Sequence, residues 1–337
     1  MTAANLHPRD ALFDADEPAP AALPVCDHYA GVEARMRKSL ALQGELGPVF
    51  DVTLDCEDGA PVGGEAEHAL LVAALLAGAD NRFGRVGVRL LPVHHAKFEE
   101  VASIVLEAAR APAYLMLPKP RRLADVQSAA LALDRLGGAA VPLHALVETH
   151  GALREADAIA AHPRIESLSF GLMDFVSAHR GAVPASAMGV KGQFEHPLVV
   201  RAKLEIAAAC HAHAKVPSHC VVTEFKHLRA LSDAATLACR QFGYTRMWSI
   251  HPDQIRTIVE AFTPSTAEVD QAIEIIMAAR DAHWAPIRHK HGGQDTLHDR
   301  ASFRYYWQIL ERAHRTSYAD GPQLPAEVSA AFFGDGR

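Results

Sequence analysis

Short runs rich in apolar and β-branched residues alternate along the chain with longer segments whose apolar positions recur at helical spacing. The runs at 22–29, 50–57, 85–90, 113–119, 143–149, 165–171, 218–223 and 246–251 read as eight strands. Helical periodicity marks 32–44, 65–76, 97–110, 123–136, 152–161, 197–215 and 226–242 between them. Eight such β-α units predict an α/β protein built on a (β/α)8 TIM barrel. Gly137-Gly138 ahead of the fifth strand and Pro252 after the eighth fall where this scheme needs breakers.

The alternation is complete by about Phe262, yet 253–262, 266–283 and 302–314 are also helix-like, with the polar run RHKHGGQD between the last two. The expected organisation is an N-terminal tail over 1–20, the barrel over 21–262, and additional C-terminal helices over 263–337. Two apolar stripes in that extension need cover: Ile273, Ile276 and Met277 on one helix, and Phe303, Tyr306, Trp307 and Leu310 on the next. Packing on a neighbouring subunit is the expectation, with 288–299 as a mobile lid; packing on the chain's own barrel is the alternative.

A length of 337 residues suits one large barrel, and 49% hydrophobic with 22% charged residues excludes wholesale disorder. The formal charge of -7, from 33 Lys plus Arg against 40 Asp plus Glu, argues against nucleic acid as a partner. No apolar run approaches the roughly 18 residues of a membrane span. The acidic, Pro-rich start lacks the basic and apolar regions of a secretory signal, so a cytoplasmic location is expected. Five cysteines without C-x-x-C spacing indicate reduced thiols rather than disulfides or structural zinc. The 20 histidines include the pairs His94-His95, His211 with His213, and His289 with His291, which read as exposed or hydrogen-bonding rather than as metal ligands.

In a barrel of this type, chemistry sits at the C-terminal ends of the strands. Alternation along the second strand puts Asp51, Thr53, Asp55 and Glu57 on one face, either as a solvated strand end before Gly59 or as a site near the mouth. The fifth strand ends in Glu148-Thr149, and the sixth runs through Gly171 to Asp174. Singly, Glu148 reads as a carboxylate ahead of a helix and Asp174 as a cap; at successive strand ends they favour a hard divalent cation with open positions. Arg89 closes the third strand and Lys119 the fourth. Beside a metal they suit an anionic substrate, and either also suits an ion pair with Asp55 or Glu57.

The series LDCEDGA, VGVRL, MLPKP, LVETHGAL, FGLMDF and WSIHPDQIRTIVEAFTPS, in this order, resembles the HpcH/HpaI aldolase family, in particular its branch of citrate lyase beta subunits and malyl-CoA lyases. The resemblance spans about residues 50–279. It implies a (β/α)8 barrel, C-terminal helices exchanged within a homotrimer or homohexamer, and a Mg2+-dependent carbon–carbon lyase, with Mn2+ as the alternative metal. Glu148 and Asp174 match the family's metal ligands, Arg89 its substrate-binding arginine, and Asp55 and Glu57 its acidic strand. Asp295, with Asp299 second, is the positional match to a catalytic aspartate of the malyl-CoA lyase lid. His251, within IHPDQI, is expected to be structural.

Three departures bear on specificity. The first strand reads AALPVCDHYAG and lacks the family's Arg-Ser start; Leu90-Leu91-Pro92 replaces an asparagine after Arg89; and Ser218-His219-Cys220 stands where an aspartate is expected. The expected substrate is a 2-oxo acid such as pyruvate, glyoxylate or oxaloacetate, or a malyl-type coenzyme A thioester, converted through an enolate that the metal and Arg89 stabilise. Alternatives are a malyl-type thioesterase and a barrel subunit that binds or assembles without turnover.

Overall fold

The computed structural model describes residues 6–291, 294–319, 321 and 323–334. Eight parallel strands close into a barrel in sequence order: β1 (Cys26–Ala30), β2 (Phe50–Asp55), β3 (Val86–Arg89), β4 (Leu115–Leu117), β5 (Leu143–Val147), β6 (Ile165–Phe170), β7 (Val216–His219) and β8 (Arg246–Ser249). The closing pair sets Cys26 against Met247. The eight-unit barrel expected from the periodicity is what the chain forms.

The departures from expectation have local causes. β4 is only three residues long because Pro118 and Pro120 flank Lys119, whose backbone turns to φ +51, a conformation no strand accommodates. β7 begins earlier than expected and contains Pro217, a residue that reads as a strand breaker. The helix expected over 152–161 is two short helices, His150–Arg154 and Ala156–Ala160, joined at Glu155. A further helix, Leu172–Ser177, follows β6 and carries Asp174 in its first turn.

Side chains from non-neighbouring strands can meet only across the barrel's interior, and its lower half is filled by a buried ionic cluster. Arg246 on β8 pairs with Asp51 on β2 at 2.6 Å and with Asp27 on β1 at 3.2 Å. Arg85 holds Asp51 through two bonds of 2.7 and 2.9 Å. Thr53 and Tyr114 donate to the same oxygen of Asp27 at 2.6 and 2.9 Å. Tyr114 stacks on His144 at 3.9 Å, whose imidazole bonds Glu166 at 3.0 Å. Burial pushes the His144 pKa down against the pull of Glu166. Gly87 is required by this packing, since a Cβ there would lie 2.3 Å from the Tyr114 ring.

The chain divides into two compact units, the barrel over Pro20–Phe262 and a second unit formed by the residues before Pro20 together with those from Thr263 on. In the second unit, helix Thr266–Asp281 starts from a capping box of Ser265 and Glu268, and helix Arg300–Arg315 from one of Asp299 and Ser302. The stretch read as a tail contains a helix, Pro8–Leu12, whose Leu12 is buried with Ile276, Phe303, Trp307 and Leu310. Arg304 fastens it by donating to the Leu12 carbonyl at 2.6 Å and pairing with Glu17. The apolar stripes are therefore covered within the unit, and they do not by themselves call for a neighbouring subunit. The polar run read as a lid forms an antiparallel hairpin, β9 (Ile287–His291) with β10 (Gln294–His298); Gly292 and Gly293 lie outside the described residues. Among the described residues no helix is long and apolar enough to cross a membrane.

Candidate active site

One layer above the ionic cluster the barrel turns apolar. Tyr29, Met116, Leu146, Val221 and Trp248 form a buried group, with Tyr29 stacked on Trp248 at 4.4 Å. Tyr29 follows Asp27 by two residues on β1, and Leu146 precedes Glu148 by two on β5, so strand alternation places this group between the ionic plug and the rim. Neither Tyr29 nor Trp248 is marked by its local sequence as part of a site floor, since a lone aromatic in a strand is ordinarily core.

On this floor stands Arg89, its guanidinium 5.5 Å from the Tyr29 ring centre. It grips Asp55 with both arms of its fork, Nε donating at 2.7 Å, and a third nitrogen lies 3.1 Å from Glu57. These anions, outweighing the cost of burial, hold the Arg89 pKa above its ordinary value. Asp55 is itself fixed by the backbone N–H groups of Glu57 and Gly59, each at 2.9 Å. A Cβ at Gly59 would lie 2.3 Å from that carboxylate. Lys119 completes the chain of charges with its ammonium on Glu57 and, at 2.7 Å, on Asp58. Burial pushes the Glu57 pKa up against the pull of Arg89 and Lys119.

Glu148 and Asp174, expected from the sequence as metal ligands, act on one another electrostatically at this rim. Glu148 is 3% exposed and accepts a 2.7 Å hydrogen bond from the Lys119 backbone N–H, which the left-handed turn at Lys119 aims at it. Burial first, and the charge of Asp174 second, push its pKa up to about 8. Asp174 also acts electrostatically on Lys119, so all three belong to one rim. Thr149 anchors the strand end by donating to the Pro120 carbonyl at 2.7 Å while capping the next helix. Among the described residues no group of three or more His, Cys, Asp or Glu side chains forms a metal cage. A buried Glu148 that has no side-chain ion pair among the described residues, with the charge of Asp174 acting on it, nonetheless fits a hard divalent ion that keeps waters or substrate oxygens in its other positions.

Gly171 closes the back of this site: an added Cβ would lie 2.5 Å from both the Cβ and Oε2 of Glu148. Gly171→Ala is expected to displace the Glu148 carboxylate and lower kcat on the order of 10- to 100-fold. Steady-state kinetics beside a melting curve checks this; a variant with native turnover would show that Glu148 need not stay where it is.

Asp51 is the one carboxylate of the second strand that does not reach the rim. It lies fully buried in the lower cluster, because its position two residues before Thr53 puts it a layer down, opposite Arg246. Asp295 lies in the other unit on β10, where Arg288 on β9 engages it, Nε donating at 2.7 Å. Asp299 is the N-cap of helix Arg300–Arg315. His251 pairs with Asp253 and accepts a hydrogen bond from Ser249 at its carbonyl.

A parallel (β/α)8 barrel with opposed cations and carboxylates at the C-terminal rim is the frame of a barrel enzyme. No family model matches the chain. A citrate lyase from Burkholderia xenovorans LB400, known from its crystal structure, is 52% identical, covering 97% of this chain and 100% of its own, with a TM-score of 0.82. An L-malyl-CoA/beta-methylmalyl-CoA lyase of Cereibacter sphaeroides is 25% identical over 250 residues, 68% of this chain and 77% of its own. Protein CitE of Mycobacterium tuberculosis, solved with magnesium, acetoacetate and coenzyme A, shares the fold at 20% identity and a TM-score of 0.67, over 86% of this chain and 98% of its own. The chain belongs to the citrate lyase beta subunit family of HpcH/HpaI type, a family of carbon–carbon lyases.

Proposed function

We propose that the protein is a Mg2+-dependent carbon–carbon lyase that cleaves, or forms, a 2-oxo acid adduct or a malyl-type coenzyme A thioester through an enolate. The observation that carries this reading is the buried Glu148 at the end of β5, acted on by Asp174 in the first turn after β6 and without a side-chain ion pair among the described residues. Glu148 and Asp174 would hold the ion, with Mn2+ as the substitute. Bound there, a divalent cation supplies electrophilic polarisation of the substrate's oxygen atoms.

The chain's own residues do the rest. Arg89, its Nε edge fixed by Asp55, would turn its remaining guanidinium edge, which now faces Glu57, to a substrate carboxylate or to the oxygen on which enolate charge develops. Lys119 adds positive charge at the rim. Glu57, between Arg89 and Lys119, is placed to hold and pass on a proton. The Tyr29–Trp248 stack and Leu146 exclude water from below, which strengthens each of these interactions. Titrating oxo-acid adducts and malyl thioesters with and without Mg2+ tests the reading: metal-dependent release of an oxo acid is expected, and release of free coenzyme A without carbon–carbon cleavage would replace the lyase with a thioesterase.

Arg89→Lys is expected to lower kcat/KM on the order of 100-fold or more, because a point charge cannot hold a carboxylate through two parallel bonds while keeping Asp55 in place. Kinetics with a chain-shortened anionic substrate reads this out; unchanged constants would remove Arg89 from the site. For the assembly, the reading is a cytoplasmic homotrimer or homohexamer with Asp295 serving a neighbour's site. Ending the chain at Pro264 and measuring mass in solution tests it: a shortened protein that stays assembled and active overturns the shared arrangement.

A further inference from the structure

Behind the barrel wall lies a second cluster of reactive side chains that the proposed chemistry does not use. Lys203, on helix Pro197–Ala212, is fully buried. Its ammonium lies 3.8 Å from the centre of the Phe194 ring and donates to Gln193 Oε1 at 2.9 Å. Cys220, the residue following β7, donates to that same oxygen at 3.2 Å, so the amine and the sulfur converge on one acceptor. Among the described residues no carboxylate pairs with the lysine. His219, stacked on Phe194 at 5.3 Å and also fully buried, closes the cluster with its Nδ1 3.8 Å from the Cys220 sulfur.

Burying a lysine beside a thiol, with one amide oxygen holding both, is costly as a structural element; an apolar pair would fill the space without desolvating a charge. It does place an amine nitrogen and a sulfur together in a dry setting. Burial lowers the Lys203 pKa to about 8, so a sizeable fraction is the neutral, nucleophilic amine near pH 7 to 8. Burial raises the Cys220 thiol instead, which disfavours its direct reaction as a thiolate.

We propose that Lys203 and Cys220 are a redox modification site, which dioxygen converts into a covalent lysine–cysteine N–O–S bridge that thiol reductants reopen. In the forward step the O–O bond breaks and N–O and O–S bonds form around one oxygen atom. The N–H and S–H hydrogens leave with the other oxygen as water. Nitrogen and sulfur together give up the four electrons that reduce dioxygen. Reduction by two dithiols returns the amine and the thiol and releases the bridging oxygen as water.

The bridge ties helix Pro197–Ala212 to the rim immediately before Val221, which belongs to the apolar floor beneath Arg89. Oxidation therefore stiffens the barrel wall at the site's edge. Holding the full-length protein under air, with an anaerobic, dithiothreitol-treated sample as control, and mapping both by proteolysis and mass spectrometry tests the proposal. The expected product is one cross-linked species joining the peptides of Lys203 and Cys220, heavier by one oxygen and lighter by two hydrogens. It should be lost on reduction and absent from Cys220→Ala, with a reversible rise in melting temperature in the wild-type protein alone. A gain of whole oxygens on the Cys220 peptide with Lys203 still free overturns the proposal, as does full recovery of both residues unmodified after oxidation. Because detection is in the wild-type chain, the result does not depend on how well the variant folds.

Discussion

Replacing Glu148 by alanine is expected to abolish metal-dependent turnover, a loss on the order of 1,000-fold or more in kcat, together with most of the affinity for Mg2+. The residue combines three properties that a plain helix-entry carboxylate lacks. It is buried, it receives a backbone N–H from a left-handed turn at Lys119, and it is raised by a second carboxylate at Asp174. Asp174→Ala should act in the same direction and less completely, since Asp174 is partly exposed and waters can take its place. Calorimetric titration of Mg2+ and Mn2+ into each variant, beside the kinetics, distinguishes the two effects. If both variants keep native metal affinity, the carboxylate pair is not the metal site, and the rim must then be read as an ion-pair network alone.

Much of this rim was legible in the chain because a parallel barrel converts linear order into geometry: whatever ends each strand reaches one face. Arg89, Lys119 and Glu148 are legible in that way as rim residues, from places at or just past a strand end, and Asp174 from the turn that follows β6. The strands themselves were visible from their apolar runs, except where proline obscured them, as at Pro217. Alternation along β2 was read correctly as one face, but the face has depth. Asp51 and Asp55 are four residues apart and lie in different layers, one in the ionic plug and one under the site. Their cations, Arg246 and Arg89, come from distant parts of the chain, and nothing local in either sequence announces its partner.

The second unit was less legible for a related reason. Helix Pro8–Leu12 is too short to show periodicity, and its fold is fixed by Arg300 and Arg304 nearly three hundred residues away, through the Leu12 carbonyl. The hairpin over 287–298 hid behind its polar composition. Its strands carry Arg288, Lys290 and Asp295, as an exposed two-stranded ribbon tolerates. The polar, Gly-containing run was expected to be a mobile lid, whereas the described residues on either side of Gly292 and Gly293 pair as antiparallel strands.

The barrel's lower half should prove as demanding of its charges as the rim. Arg246→Leu is expected to cost about 3–5 kcal/mol of folding stability, read as a fall in the urea midpoint. The size follows from what is left behind. Arg85 continues to hold Asp51, but Asp27 keeps only neutral donors, Thr53 and Tyr114, for a carboxylate sealed from water. The Pro24 carbonyl, which accepts from Arg246 at 2.8 Å, loses that donor too. If the uncompensated charge is the main cost, Arg246→Leu combined with Asp27→Asn should regain part of the loss, since the amide carries no charge to bury. A purely steric defect predicts instead that the two changes add. The functional consequence travels upward along β1: Tyr29 stands two residues beyond Asp27 and carries Arg89 on its ring, so relaxation of the plug should raise KM for the anionic substrate in whatever fraction of the variant remains folded. A single Arg246→Leu variant that unfolds within about 1 kcal/mol of the parent would mean that the plug is relaxed by water, and that the floor of the site rests on its apolar contacts alone.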